Sequence, residues 1–179
     1  MSDILGRIRE EQNIFGKLLS KVPGFSGYID RENRRSADKL LRETIATRYE
    51  EQWRRISSLQ RDLISQGGIA YVDDLEGAAI KIRQFIDRVR TAAYGYAGFF
   101  DAVKVQSEEL EQLYQYDLWL MSLADEIGRA IDNVEAALGT DGLPAAIRNL
   151  TRLARESVEA YEKRSQAILG GGQEGQAGQ

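Results

Sequence analysis

Apolar side chains return along this chain at helical spacing, in five separate stretches. The longest runs from Ser36 to Gln66 without a Gly or Pro, and along it Ala37, Leu41, Ile45, Tyr49, Gln52, Ile56, Leu59 and Leu63 recur every three or four positions. A helix of that length rises roughly 45 Å, more than the width of a small domain, which predicts a strut against which other helices lie. Trp53, beside Gln52, is placed to widen its apolar face. Gly67 and Gly68 predict its end, because glycine accepts the left-handed conformation that closes a helix.

The most regular stripe follows: Val72, Leu75, Ala79, Ile82, Ile86, Val89, Ala93, Tyr96 and Phe100, in steps alternating three and four. Such a repeat marks packing at small crossing angles, as in a coiled coil or a helical bundle. Asp73 and Glu76 stand at capping-box spacing and predict where this helix begins. Ser107 is placed to cap the next one, with Glu108, Glu109 and Glu111 in its first turn. Its stripe reads Leu110, Leu113, Asp117, Leu120, Ala124, Ile127, Ile131, Val134 and Leu138. Gly139 to Pro144 predicts a turn, with Pro144 in the first turn of a last helix that carries Leu143, Ile147, Leu150, Ala154, Val158, Tyr161 and Ile168 to about Leu169.

Ahead of these, residues 3–20 place Ile4, Leu5, Ile8, Phe15, Leu18 and Leu19 on one face of a short amphipathic helix. The expected fold is therefore all-α: an antiparallel helical bundle of four long helices plus a short N-terminal amphipathic helix and a flexible C-terminal tail. Its expected divisions are residues 1–22, a bundle domain over 23–169, and a tail over 170–179. The tail contains only Gly, Gln, Ala and Glu, with too little to bury to offset the entropy of ordering.

The interruptions in the pattern supply the candidate chemistry. Pro23 and Gly24 predict a turn whose two aromatics, Phe25 and Tyr28, either plug one end of the bundle or clamp a partner. Asp30 is suited to cap the long helix. Arg31, Arg34 and Arg35 stand against the positive end of its dipole, so they pair with acids of another helix or meet an anion. Tyr94, Tyr96, Phe99 and Phe100 make the densest aromatic segment, disturbed by Gly95 and Gly98; it closes the core or forms a docking patch.

Asp117 is the wrong residue for the middle of an apolar stripe, and needs a cationic or hydroxyl partner there or becomes protonated. An Arg or Tyr from a neighbouring helix is the expected partner, fixing register, with ligand contact as the alternative. The candidate partner-binding residues are thus Phe25, Tyr28, Arg34, Arg35, Tyr94, Tyr96, Phe99 and Asp117.

Composition then narrows the function. The chain of 179 residues is 42% apolar and 29% charged, which suits one soluble helical domain. It has no Cys and no His, which excludes disulfides, thiolate chemistry, Ser-His catalysis and the Glu/His di-iron motif of helical bundles. No enzyme activity, cofactor or metal is expected. A carboxylate cation site built from Asp117 with Glu50, Glu51 or Asp125 is disfavoured, because the acids mostly fall outside the stripes and hard cations need several converging oxygens.

No apolar run approaches the ~20 residues that span a bilayer, and the N-terminus has no signal-peptide core, so the expected compartment is the cytoplasm.

The net charge of −4 is unevenly divided. Between Gln106 and Asp141 the only basic residue is Arg129, among nine acids, whereas residues 31–62 hold nine Arg or Lys against six acids. The two helices are expected to be neighbours. Nucleic acid is disfavoured as a partner by the acidic balance and by the lack of a basic stripe interleaved with aromatics.

What is left is a non-enzymatic protein–protein interaction or scaffold module of helical-bundle type with a protein partner. Self-association is left open, since stripes of this kind are satisfied within or between chains. The alternative is a peripheral membrane or envelope-associated protein held reversibly through residues 3–25. Against it, the polar face of that segment mixes Arg7, Arg9, Lys17 and Lys21 with Asp3, Glu10 and Glu11, which weakens attraction to anionic lipid.

Overall fold

A computed structural model describes residues 13–27, 33–92 and 108–174, and the part of each of the five stripes within them lies on a helix; Ile4, Leu5, Ile8, Ala93, Tyr96 and Phe100 lie outside the described residues. They are α1 (13–21), α2 (Arg34–Ser65), α3 (Val72–Thr91), α4 (Glu108–Ala137) and α5 (Leu143–Glu174), with a 3-10 turn at Ile69–Tyr71 and no strand among the described residues. α2, at 32 residues, is about 48 Å long, and its stripe is buried except for the half-buried Gln52. It stops where Gly67 takes φ 81°, and the Gly68 N–H donates to Leu63 O at 2.8 Å, satisfying a carbonyl the helix end leaves open.

The capping box expected from Asp73 and Glu76 is not formed. The 3-10 turn leads into α3 with its backbone already near helical angles at Tyr71, which stands at the N-cap with no side-chain bond. Asp73 and Asp74 lie inside the first turn, where they complement the helix dipole instead. The expected caps Asp30 and Ser107 lie outside the described residues. At the other end, α5 continues to Glu174, through the glycines at which the tail was expected to begin. Extending a formed helix costs only about 1 kcal/mol per Gly relative to Ala, far less than starting one.

Side-chain bonds fix the topology. Gln60 to Glu76 (2.7 Å) and Arg90 to Glu50 (2.7 Å) lock α2 antiparallel to α3. Tyr49 meets Leu120 and Arg55 meets Gly128, so α2 and α4 run parallel. α3 and α5 run parallel too: Arg88 meets Glu162, while Gly77 shares a groove with Ile147 at the other end. The bundle is thus two helical hairpins laid side by side, α2–α3 against α4–α5, with α2 and α5 on a diagonal.

At its centre the Tyr49 ring lies 4.1 Å from that of Phe85, which meets the edge of Tyr161 at 5.8 Å. The basic and acidic helices are neighbours: Arg48 reaches Asp125 at 3.6 Å, and Arg55 pairs with Asp132 and with Glu135 (3.7 Å).

α1 packs against α2 and α4. Leu18, Val22 and Phe25 are buried, Lys21 Nζ is 2.7 Å from Asp125, and Arg48 donates to Lys21 O at 3.0 Å. Phe15, Phe25 and Tyr114 form an aromatic cluster with centroids 5.7 to 6.5 Å apart. Gly27 closes it with φ 88°, so near that a Cβ there would stand 2.7 Å from Phe15 Cε2.

Candidate functional site

The strongest concentration of chemistry is a charged layer inside the core. Asp38 and Arg42 are one turn apart on α2, and Arg42 Nε donates to Asp38 Oδ2 at 2.7 Å. Arg164, near the far end of α5, donates from Nε to Asp117 Oδ1 of α4 and from Nη2 to Asp38 Oδ1 of α2, both at 2.6 Å. Arg42 Nη1 completes the layer on Val89 O of α3 at 3.0 Å, so all four long helices take part. All four side chains are buried, and both carboxylates are at most 2% exposed. Charge-assisted bonding offsets part of the desolvation these groups suffer.

A second polar layer lies two to three turns along. The Tyr49 hydroxyl is 3.0 Å from both Leu120 O and Ser157 Oγ, and Ser157 donates to Leu153 O at 3.0 Å. Burial pushes the Tyr49 phenol far above its ordinary value of 10.0, with the Ser157 hydrogen bond opposing that shift. At the surface, the hydrogen bond from Arg90 holds the Glu50 carboxyl below its usual range.

Of the sequence candidates, the structure brings Asp117 into the charged layer, held by Arg164. Arg34 is buried at the start of α2, and Phe25 is 3% exposed within the aromatic cluster, so neither offers a surface to a partner. Arg35 is exposed at the start of α2. Tyr28, Tyr94, Tyr96 and Phe99 lie outside the described residues. Asp117 is not joined by the other acids proposed with it: Glu50 faces Arg90 of α3, and Asp125 faces Lys21 of α1. Among the described residues no group of three or more acids gathers as a cation site requires, and no helix is long and apolar enough to cross a membrane.

Open grooves mark the surface of the described residues. One, of about 630 Å³, lies between α3 and α5, with Asp73, Asp74 and Gly77 on one wall and Ile147, Arg148 and Arg155 on the other. The second, about 480 Å³, lies between α2 and α3 beside Lys39, Glu43 and Arg90.

Asp38 and Arg164 were not singled out by sequence, although a signal existed for each. The stripe of α5 passes from Tyr161 to Ile168 with a seven-residue gap, and Arg164 fills it. Asp38 precedes Leu41 and Ile45 at helical spacing.

Compared with known proteins, the chain matches no family model, no curated protein and no solved structure.

Proposed function

We propose that this chain is a non-enzymatic protein-interaction module of helical-bundle type, presenting an outer edge of the α2–α3 hairpin to another protein. The observation that carries this reading is a set of large apolar side chains left in water along that edge. Ile64, Ile69 and Ile80 are 54%, 67% and 49% exposed.

Their alignment follows from the hairpin's register. Gln60 bonds Glu76, and the Arg83 guanidinium lies 5.4 Å from the Trp53 ring centroid, so these residues mark the outer seam. Ile80 lies between Glu76 and Arg83 on α3, Ile64 is one turn beyond Gln60 on α2, and Ile69 stands at the connecting turn. Single exposed apolar residues are ordinary, whereas several along one edge are what an interface uses. The buried charges are engaged in holding helices together, which supports a reading without catalysis.

The test is a photo-crosslinking residue placed in the native cell at Ile69 or at Ile80, with exposed Arg129 of α4 as control. Discrete protein adducts from the two isoleucine positions, lost in the Ile64→Glu/Ile80→Glu background, support the proposal. Adducts equal to the control, or none, contradict it.

A further inference from the structure

We propose that the face formed by α3 and α5 binds a second copy of this chain, giving a weak, salt-sensitive homodimer. This deepens the interaction reading by naming the occupant of a second surface. It rests on other residues, although Ile80 shares the outer face of α3 with Asp73 and Gly77; sedimentation of the purified chain reads this surface alone, and adducts to a different protein read the other.

The groove between these helices has walls of opposite charge. Asp73 and Asp74 stand on α3, Arg148 and Arg155 on α5, all four exposed. None of the four takes part in an ion pair or side-chain hydrogen bond, although exposed arginines elsewhere on the same helices do: Arg83 with Asp87, Arg88 with Glu162, Arg152 with Glu156. Gly77, on the α3 wall, has nothing within 4 Å of where a Cβ would stand, so that wall leaves room for an incoming side chain.

The charge arrangement selects the occupant. A polyanion or an acidic peptide would be attracted by the arginine wall and repelled by the aspartate wall, and a basic partner would meet the reverse. A copy of this chain satisfies both walls. Because α3 and α5 run parallel, a two-fold axis along them sets α3 of each copy against α5 of the other, so each Asp pair comes level with Arg148 of the other copy, with Arg155 two turns further along, twice. That is the self-complementarity of an isologous interface.

Size sets the strength. α3 is 20 residues, about 30 Å, and two helices packed side by side are about 20 Å wide. The face therefore covers about 600 Å² per copy, at the low end of specific interfaces. Exposed ion pairs add little and are screened by salt.

The test is sedimentation equilibrium of the full chain at about 0.05 M and about 0.5 M salt, where screening lengths differ about threefold. Three samples are compared: wild type, Asp73→Lys/Asp74→Lys, and Arg148→Glu/Arg155→Glu. Wild type is expected to dimerise at low salt and to weaken at least tenfold at high salt. Each reversed variant alone is expected to be monomeric, and their equimolar mixture to recover a heterodimer.

A wild type that stays monomeric at low salt overturns the proposal, as does a dimer that both variants retain, or a mixture that stays monomeric while each variant keeps its helical circular dichroism. Asp73 and Asp74 also support the start of α3. If their variant does not fold, the Arg148→Glu/Arg155→Glu variant decides alone: retained dimerisation refutes the proposal and loss supports it.

Discussion

Arg164 Nη2 meets Asp38 Oδ1 at 2.6 Å across the diagonal of the bundle, joining α5 to α2 over 126 positions of sequence. These two helices lie on a diagonal with at most slight backbone contact, and a long guanidinium arm bridges them. The same Arg holds Asp117 of α4, while Arg42 ties Asp38 to the end of α3. A sliding of either hairpin past the other by one helical turn would break the Arg164–Asp38 bond and leave each buried carboxylate only the arginine of its own hairpin, a penalty that an all-apolar core does not impose.

Removing the central cation leaves both acids without it. Arg164→Met is expected to destabilise the protein by about 3–5 kcal/mol in urea unfolding, the range for breaking a buried ion pair. Adding Asp117→Leu to that variant is expected to restore part of the loss, because one stranded charge is then gone. A fall below about 1 kcal/mol for the single change would place Arg164 in water.

Tyr49 gives a pH-dependent signature. Its phenol ionises at higher pH in the folded state than in the unfolded chain, so the folded state keeps a proton the unfolded chain has released. The stabilisation is complete below the ordinary value of 10.0 and diminishes as pH rises above it, by up to about 1.4 kcal/mol per pH unit. Tyr49→Phe is expected to cost about 1–2 kcal/mol at neutral pH and to flatten this alkaline loss. Unfolding curves of both proteins at stepped pH values from neutrality upward provide the comparison.

Two glycines with left-handed backbone are expected to respond differently to alanine. At Gly67, φ 81° with open space around it, the cost is about 1–2 kcal/mol of backbone strain. At Gly27, φ 88°, the new methyl also meets Phe15 Cε2 at 2.7 Å and the Tyr114 hydroxyl at 2.9 Å, raising the total to about 2–4 kcal/mol. Thermal melts of the two variants rank them, and a larger loss at Gly67 would contradict the packing of α1.

The membrane alternative has its own measurement. Leu18, Val22 and Phe25 already face the bundle, so the apolar surface this part of residues 3–25 would insert into lipid is occupied. Flotation with anionic vesicles is expected to leave the full chain at the bottom of the gradient, as it does a chain lacking residues 1–22. Flotation of the full chain alone would return the segment to an anchoring role.

The helices were legible because burial follows periodicity: the stripes of α2, α3, α4 and α5 are largely the core. Their width was less legible. A line of steps of three and four traces one edge of a helix, so Ala78 and Phe85 fell beside it although both are fully buried, and Phe85 packs against Tyr49. Asp117 announced itself as a charge in an apolar row. Its partner did not, because Arg164 lies 47 positions away and only the packing of α4 on α5 brings them together. The neighbouring of basic α2 and acidic α4 was readable from charge. The exposure of Ile64, Ile69 and Ile80 was not, since an isoleucine in water and one in the core are the same letter.

A double-mutant cycle between Asp38→Asn and Arg164→Met, read by urea unfolding, tests the diagonal charged layer most directly, since only a bundle closed in this arrangement puts the two side chains in contact. The expected result is a coupling of at least about 1.5 kcal/mol between the substitutions; additivity within about 0.5 kcal/mol would contradict it and with it the pairing of the two hairpins.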